Sequence, residues 1–276
     1  VSRFRSLFTL LALAAVLTVF GCSQSKPNVD LSLSDKQLDW VASKIFQNEC
    51  SGEVDCLVHW NEGEAFPSLG IGHFIWYPKG VDEPYAESFP ALVKFMKAES
   101  VDMPDWLAKM SPLDAPWPDR DSFLNQQSGP QIEFLRWFLD ETKHVQAEFM
   151  YSRAQESLSK ILDATPEDQR DAMRQRIDNL RNTAGGVYAL IDYVNFKGEG
   201  LKASEAYDGQ GWGLRQVLEH MGEIDKRTAL ARFRQAAADV LTQRAENAPR
   251  AIERDKWLAG WLNRVETYKE VGPSPG

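Results

Sequence analysis

The sequence predicts an α+β chain, mostly α, with a small β-hairpin lobe near the N-terminus and a larger helical lobe after it. Three observations carry this expectation. Apolar residues recur at helical spacing over most of the chain beyond Leu92. Only the stretch from Leu57 to Trp76 shows the short, turn-punctuated pattern of strands, and no fixed-period repeat marks a solenoid or propeller. With 276 residues, 43% hydrophobic and 11% aromatic, the chain has enough apolar surface for a substantial core.

The first residues stand apart. Arg3 and Arg5 precede an apolar run from Leu7 to Phe20 that ends in Val19-Phe20-Gly21-Cys22. The run is short for a membrane span and suits a signal sequence. Its ending resembles a bacterial lipoprotein signal, which implies cleavage after residue 21, a lipid on Cys22 and a polar tether over 22–33 containing Pro27. With Ser23 rather than Asp after the cysteine, the resemblance implies sorting to the outer membrane, the body lying in the periplasm. In that oxidising compartment Cys50 and Cys56 are expected to close a small loop as a disulfide. Only His59 is near the pair in sequence and no second Cys/His pair follows, so a metal site is not expected.

The body runs over 34–276. Ser34 as N-cap, Gln37 three residues on and Leu38, Val41, Ala42, Ile45 and Phe46 at helical spacing predict a first helix that stops between Asn48 and Gly52. Asn61-Glu62-Gly63 and Phe66-Pro67 punctuate the strand-like stretch. Helical periodicity returns over 92–98, 131–162 and 166–182, then 187–196, 213–221, 226–247 and 250–270. A long helical insertion over about 78–185 is expected within this body, and a concave site where the two lobes meet. The net charge of −9 and the lack of a basic patch argue against a nucleic-acid partner.

The chemistry concentrates around the hairpin. Glycosidic hydrolysis needs one carboxyl that donates a proton and a second that activates water or stabilises positive charge. Glu49 ends an apolar helix beside the cysteine loop, a partly dry setting of the kind that favours an uncharged carboxyl. Glu62 and Glu64 stand in a glycine-bearing turn, more solvated. Trp76 and Tyr77 offer flat faces to a sugar ring. Trp212 and Gln216, in the glycine-rich run from Gly209, are further candidate contacts where glycines permit close chain approach. His73, after two glycines, is expected to make a buried hydrogen bond or ion pair between lobes, at the edge of the substrate site.

The run from Glu62 to His73, EGEAFPSLGIGH, resembles the active-site hairpin of phage-type lysozymes (glycoside hydrolase family 24). On that pattern Glu62 takes the place of the second acid, with Glu64 its rival, and Ser68 stands where the family has threonine; Gly70, Gly72 and His73 match outright. The family's general acid ends the first helix, which points to Glu49; counting back without a gap gives Glu53 instead. The segment from Ala189 to Gly200 is similar to the family's cleft floor, which implies that Asn195 and Lys197 touch sugar, and the stretch from Trp257 to Tyr268 resembles its closing helix.

The resemblance implies a lysozyme-like fold and a lipid-anchored, inverting muramidase acting on the β-1,4 bonds of peptidoglycan, with no metal or organic cofactor. Three alternatives stay open: a lytic transglycosylase, a chitosanase, and a noncatalytic wall-binding lipoprotein.

Overall fold

Local signals build the first element as expected. The computed structural model describes residues 33–81, 87–203, 205–222 and 228–270; the signal segment and Cys22 lie outside them. The Ser34 backbone N–H donates to Gln37 Oε1 at 2.9 Å, starting α1 (Asp35–Cys50), which buries Leu38, Val41, Ala42 and Ile45. The helix stops where Ser51 turns left-handed at φ 52°. Cys50 and Cys56 are disulfide-bonded, Cα to Cα 5.3 Å, around a loop ending in a 3₁₀ turn, Val54–Leu57.

A three-stranded antiparallel sheet follows, β1 (Val58–His59), β2 (Ser68–Leu69) and β3 (Phe74–Ile75), in that spatial order. Ser68 on the middle strand pairs with His59 on one side and Ile75 on the other. Two residues per strand cannot hold a sheet in place alone. The fixing group is Gln146, fully buried. Its Oε1 accepts from the Ile71 N–H at 2.9 Å, and its Nε2 donates to the Leu139 carbonyl at 2.6 Å. A side chain at Gly70, whose φ is +67°, would run into this carboxamide, and one at Gly72 would meet the Phe74 ring.

The rest is helical: α2 (Phe89–Ala98), α3 (Asp105–Lys109), α4 (Arg120–Asn125), α5 (Pro130–Glu141), α6 (Lys143–Ala164), α7 (Glu167–Arg181) and α8 (Ala184–Lys197). A hairpin of β4 (Ala206–Tyr207) and β5 (Gln210–Gly211) leads to α9 (Leu214–His220) and α10 (Ala229–Asn247). A π-helical turn, Glu253–Trp257, then opens α11 (Leu258–Val265). Helical periodicity over 131–162 resolves into two helices because the chain breaks at Thr142, whose hydroxyl donates to Phe138 O at 2.7 Å. The long α6 packs against both α1 and α8, so the stretch expected as an insertion supplies a central helix. No helix among the described residues is long and apolar enough to cross a membrane.

Two aromatic clusters fill the core. Trp76, Phe89, Trp117 and Phe123 interlock under the sheet, with ring centroids 4.6 Å apart for Trp76 and Phe89 and 5.1 Å for Trp117 and Phe123. Tyr188, Tyr268 and Phe233 do the same between α8, α10 and the end of the chain, at 5.6 and 5.9 Å.

Gln146→Ala leaves the Ile71 N–H and the Leu139 carbonyl buried and unpaired, and is expected to lower unfolding free energy by about 3 kcal/mol. Chemical denaturation of the two proteins checks this; an unchanged midpoint would show that the hairpin does not hang on this carboxamide.

Candidate functional site

Three helices bring their polar residues to one buried point. Glu49 comes from the last turn of α1, Asp192 from the middle of apolar α8, and Arg264 from α11. Arg264 grips Asp192 with two parallel bonds, Nε to Oδ2 and Nη2 to Oδ1, both 2.8 Å, and Nη2 also donates to Glu49 Oε1 at 2.5 Å. Asp192 is fully buried, whereas Glu49 and Arg264 each keep 12% of their side-chain surface exposed. Burial works against the guanidinium's charge, but Asp192 and then Glu49 outweigh it and hold Arg264 well above its ordinary value. Tyr268 donates its hydroxyl to Asp192 Oδ2 at 2.7 Å; burial first, and the Asp192 charge second, keep that phenol protonated. Next to it, Tyr188 OH shares a hydrogen bond with Thr267 Oγ1 at 2.9 Å and accepts from Asn48 Nδ2 at 2.5 Å.

His73 meets Glu49 from the hairpin side. Its backbone sits left-handed at φ 46°, an uncommon conformation for a residue with a Cβ, and its Nδ1 lies 3.4 Å from Glu49 Oε2. Burial lowers its pKa, more than the Glu49 charge raises it. Its Nε2 faces the disulfide, 3.3 Å from Cys56 Sγ and 3.8 Å from Cys50 Sγ. Cys50, Cys56 and His73 stand close enough together to hold a metal ion, but both sulfurs are spent on each other. Asn195 Nδ2 completes the junction by donating to Gly72 O at 3.4 Å, so α8 is tied to the hairpin directly.

The other carboxylates divide by exposure. Glu53 is exposed on the disulfide loop and Glu62 is exposed in the turn. Glu64 is half-buried, with Oε2 accepting from Asn61 Nδ2 at 3.0 Å, and its charge reaches His73. Ser68 is 6% exposed at the centre of the sheet.

Several expected sugar contacts have structural work instead. Trp76 is fully buried among Phe89, Trp106 and Trp117 with its indole N–H on Leu113 O at 3.0 Å, so it presents no face to a sugar. Gln216 spends its carboxamide on the backbone of Gly213 and Gly200, both at 3.0 Å, where Gly213 packs directly on Gly200. Trp212 is largely buried under the Arg244 guanidinium, 4.0 Å from its ring centroid. Tyr77 is half-buried, edge-on to Phe66 at 5.3 Å. Lys197 lies between the Phe196 and Trp261 rings. Among the described residues, one cavity of about 320 Å³ lies beside the start of α1 and one of about 680 Å³ is lined by the β4–β5 hairpin and by Arg244. Neither is lined by Glu49.

Asp192 and Arg264 went unread as site residues in the sequence. Asp192 had a signal, being the single charge in the run from Val187 to Phe196, since a carboxylate in an apolar helix demands a partner. Arg264 had none: it is one of many basic residues near the C-terminus.

Arg264→Met strands Asp192 as a buried, uncompensated charge and is expected to cost about 4 kcal/mol of stability, measured by denaturation. A second expectation concerns pH. The native state holds His73 below its ordinary value of 6.5, so below that pH the unfolded chain binds more protons and stability falls as pH drops. His73→Asn is expected to flatten this part of the stability profile; an identical slope in both proteins would contradict it. Comparison with protein-family models, curated proteins and solved structures finds no match to this chain.

Proposed function

We propose that the protein is a lysozyme-like glycoside hydrolase that cleaves β-1,4 bonds of peptidoglycan, lipid-anchored in the periplasm through Cys22. The observation that carries this reading is Glu49: a carboxylate at a helix end, 12% exposed, held on one oxygen by Arg264 and faced on the other by the hairpin histidine. A general acid must present one oxygen at a fixed angle to the leaving group. Two opposed partners drawn from the two lobes provide such fixing, and Glu53, exposed on its loop, has no comparable setting.

The turn supplies the second carboxylate. The resemblance to phage-type lysozymes aligns Glu62 with that role, whereas the geometry favours Glu64, which Asn61 orients and whose charge reaches His73 beside Glu49. Ser68 has no hydrogen bond from its hydroxyl among the described residues, which leaves that group to hold a water. The inverting outcome implied by the resemblance requires a water between the carboxyls.

One observation favours a second reading, a lytic transglycosylase. Among the described residues the ionisable side chains paired with Glu49 are Arg264 and His73, with no carboxylate beside them, and a transglycosylase needs only one acid/base. Mass spectrometry of the products separates the two, because hydrolysis adds water whereas transglycosylation leaves 1,6-anhydro ends.

Purified protein is expected to release soluble fragments from peptidoglycan, and Glu49→Gln to reduce the rate at least about a hundredfold. No release by wild type, or full activity in Glu49→Gln, would overturn the reading. Of the turn variants, Glu64→Gln is expected to lose about a hundredfold and Glu62→Gln less than about tenfold. The reverse order would return the role to Glu62.

A further inference from the structure

Lys197 ends α8, and among the described residues its ammonium is the one cation in its neighbourhood without a carboxylate partner. Its Nζ lies 3.9 Å from the centroid of the Phe196 ring and 3.8 Å from that of Trp261. Among the described residues it has no hydrogen bond or ion pair. The same two rings carry other cations: Arg264 over Phe196 at 4.3 Å and Arg244 over Trp261 at 4.8 Å. Arg264 is answered by Asp192 and Glu49. Arg244 is answered by Glu253, fully buried in the π-helical turn, at 3.0 Å. Lys197 is left over, in a chain whose net charge is −9.

The groups facing Lys197 explain its electrostatics. Burial, then Arg244 from α10 and Arg264 from α11, push its pKa down to about 6, against the pull of Glu253. The two aromatic faces oppose that shift, because a ring attracts only the charged amine. Packing of the alkyl stem on two rings accounts for the burial. It does not account for two guanidinium groups converging on one ammonium that has no ion-pair partner among the described residues. A carboxylate placed there would relieve the repulsion, restore the proton and form a charge-assisted hydrogen bond in a largely dry setting. Phe196 alone separates this position, along the chain of contacts, from the arginine that holds Glu49.

We propose that Lys197 receives a carboxylate carried by the glycan, and is thereby a specificity-determining residue that selects acidic, peptide-bearing wall glycan over neutral or cationic β-1,4 glycans. This rests on the glycosidase reading and names its substrate class. It also separates the protein from a chitosanase, whose cationic polymer has nothing to offer an unpaired ammonium.

The test uses the full chain and one wall glycan in two forms: peptide-stem carboxylates intact, and the same carboxylates converted to amides. Wild type is expected to lose about tenfold in kcat/KM on amidation. In Lys197→Met the ratio between the two glycans should fall to about one, and Lys197→Arg should recover part of the preference; Lys197→Gln replaces the Met variant if that fails to fold. The same ratio in wild type and Lys197→Met, or no preference in wild type, overturns the proposal and leaves the glycosidase reading standing. Cleavage of neither glycan by wild type is failure of the glycosidase reading instead. Calorimetric titration with soluble fragments of both forms then decides about Lys197. Binding of the carboxylate form about tenfold weaker in Lys197→Met supports it, and equal affinities, or no binding by wild type, overturn it.

Discussion

Arg264 is the group on which the rest of this structure turns. Its guanidinium lies between a fully buried aspartate from α8 and a glutamate in the last turn of α1, while α11, which carries it, packs on α10. Each of these charges would be prohibitively costly alone in the interior. Together, with Tyr268 donating to the remaining lone pair on Asp192, they are satisfied. Such a cluster contributes little net stability against a well-packed apolar replacement, but its hydrogen bonds tie α1, α8 and α11 together at one point. The geometry of Glu49 is therefore a consequence of how the helical body closes.

The hairpin is fixed by an independent device. Gln146 pins its backbone from α6, Asn195 ties Gly72 to α8, and His73 reaches Glu49 from its far end. The disulfide adjoins the same histidine, so the loop between Cys50 and Cys56 is fastened at the place where the two lobes share a carboxylate. A residue strained into the left-handed region at this junction, His73, is the kind of feature that persists when surrounding contacts over-determine it.

Much of this was legible in the sequence, for identifiable reasons. Ser34 and Gln37 announced α1, turn residues bracketed the sheet, and the cysteine spacing gave the disulfide. Glu49 was singled out because a carboxylate at the end of an apolar helix is conspicuous. Other parts were hidden by length or by context. Helices α3 and α4 are too short to show a period, and the two-residue strands β4 and β5 read as a glycine-rich loop. The π-helical turn at Glu253–Trp257 interrupts what periodicity presents as one helix. Trp76 was misjudged because an aromatic residue just past a strand looks the same in the sequence whether it faces a ligand or the core. Arg264 and Asp192 lie 72 positions apart, and no local pattern can report such a pairing.

The central claim is that one constraint serves both fold and site: Asp192 fixes Arg264, and Arg264 fixes Glu49. Among the described residues Asp192 has no hydrogen bond to Glu49 of its own and meets it through Arg264, so it offers a clean handle. The direct measurement is the rate of fragment release from peptidoglycan by Asp192→Asn, at a temperature where circular dichroism shows the variant fully folded. The account predicts a rate at least about tenfold below wild type, with substrate affinity largely retained, because the acid has lost its fixed orientation. A folded Asp192→Asn variant that cleaves at the wild-type rate would contradict it.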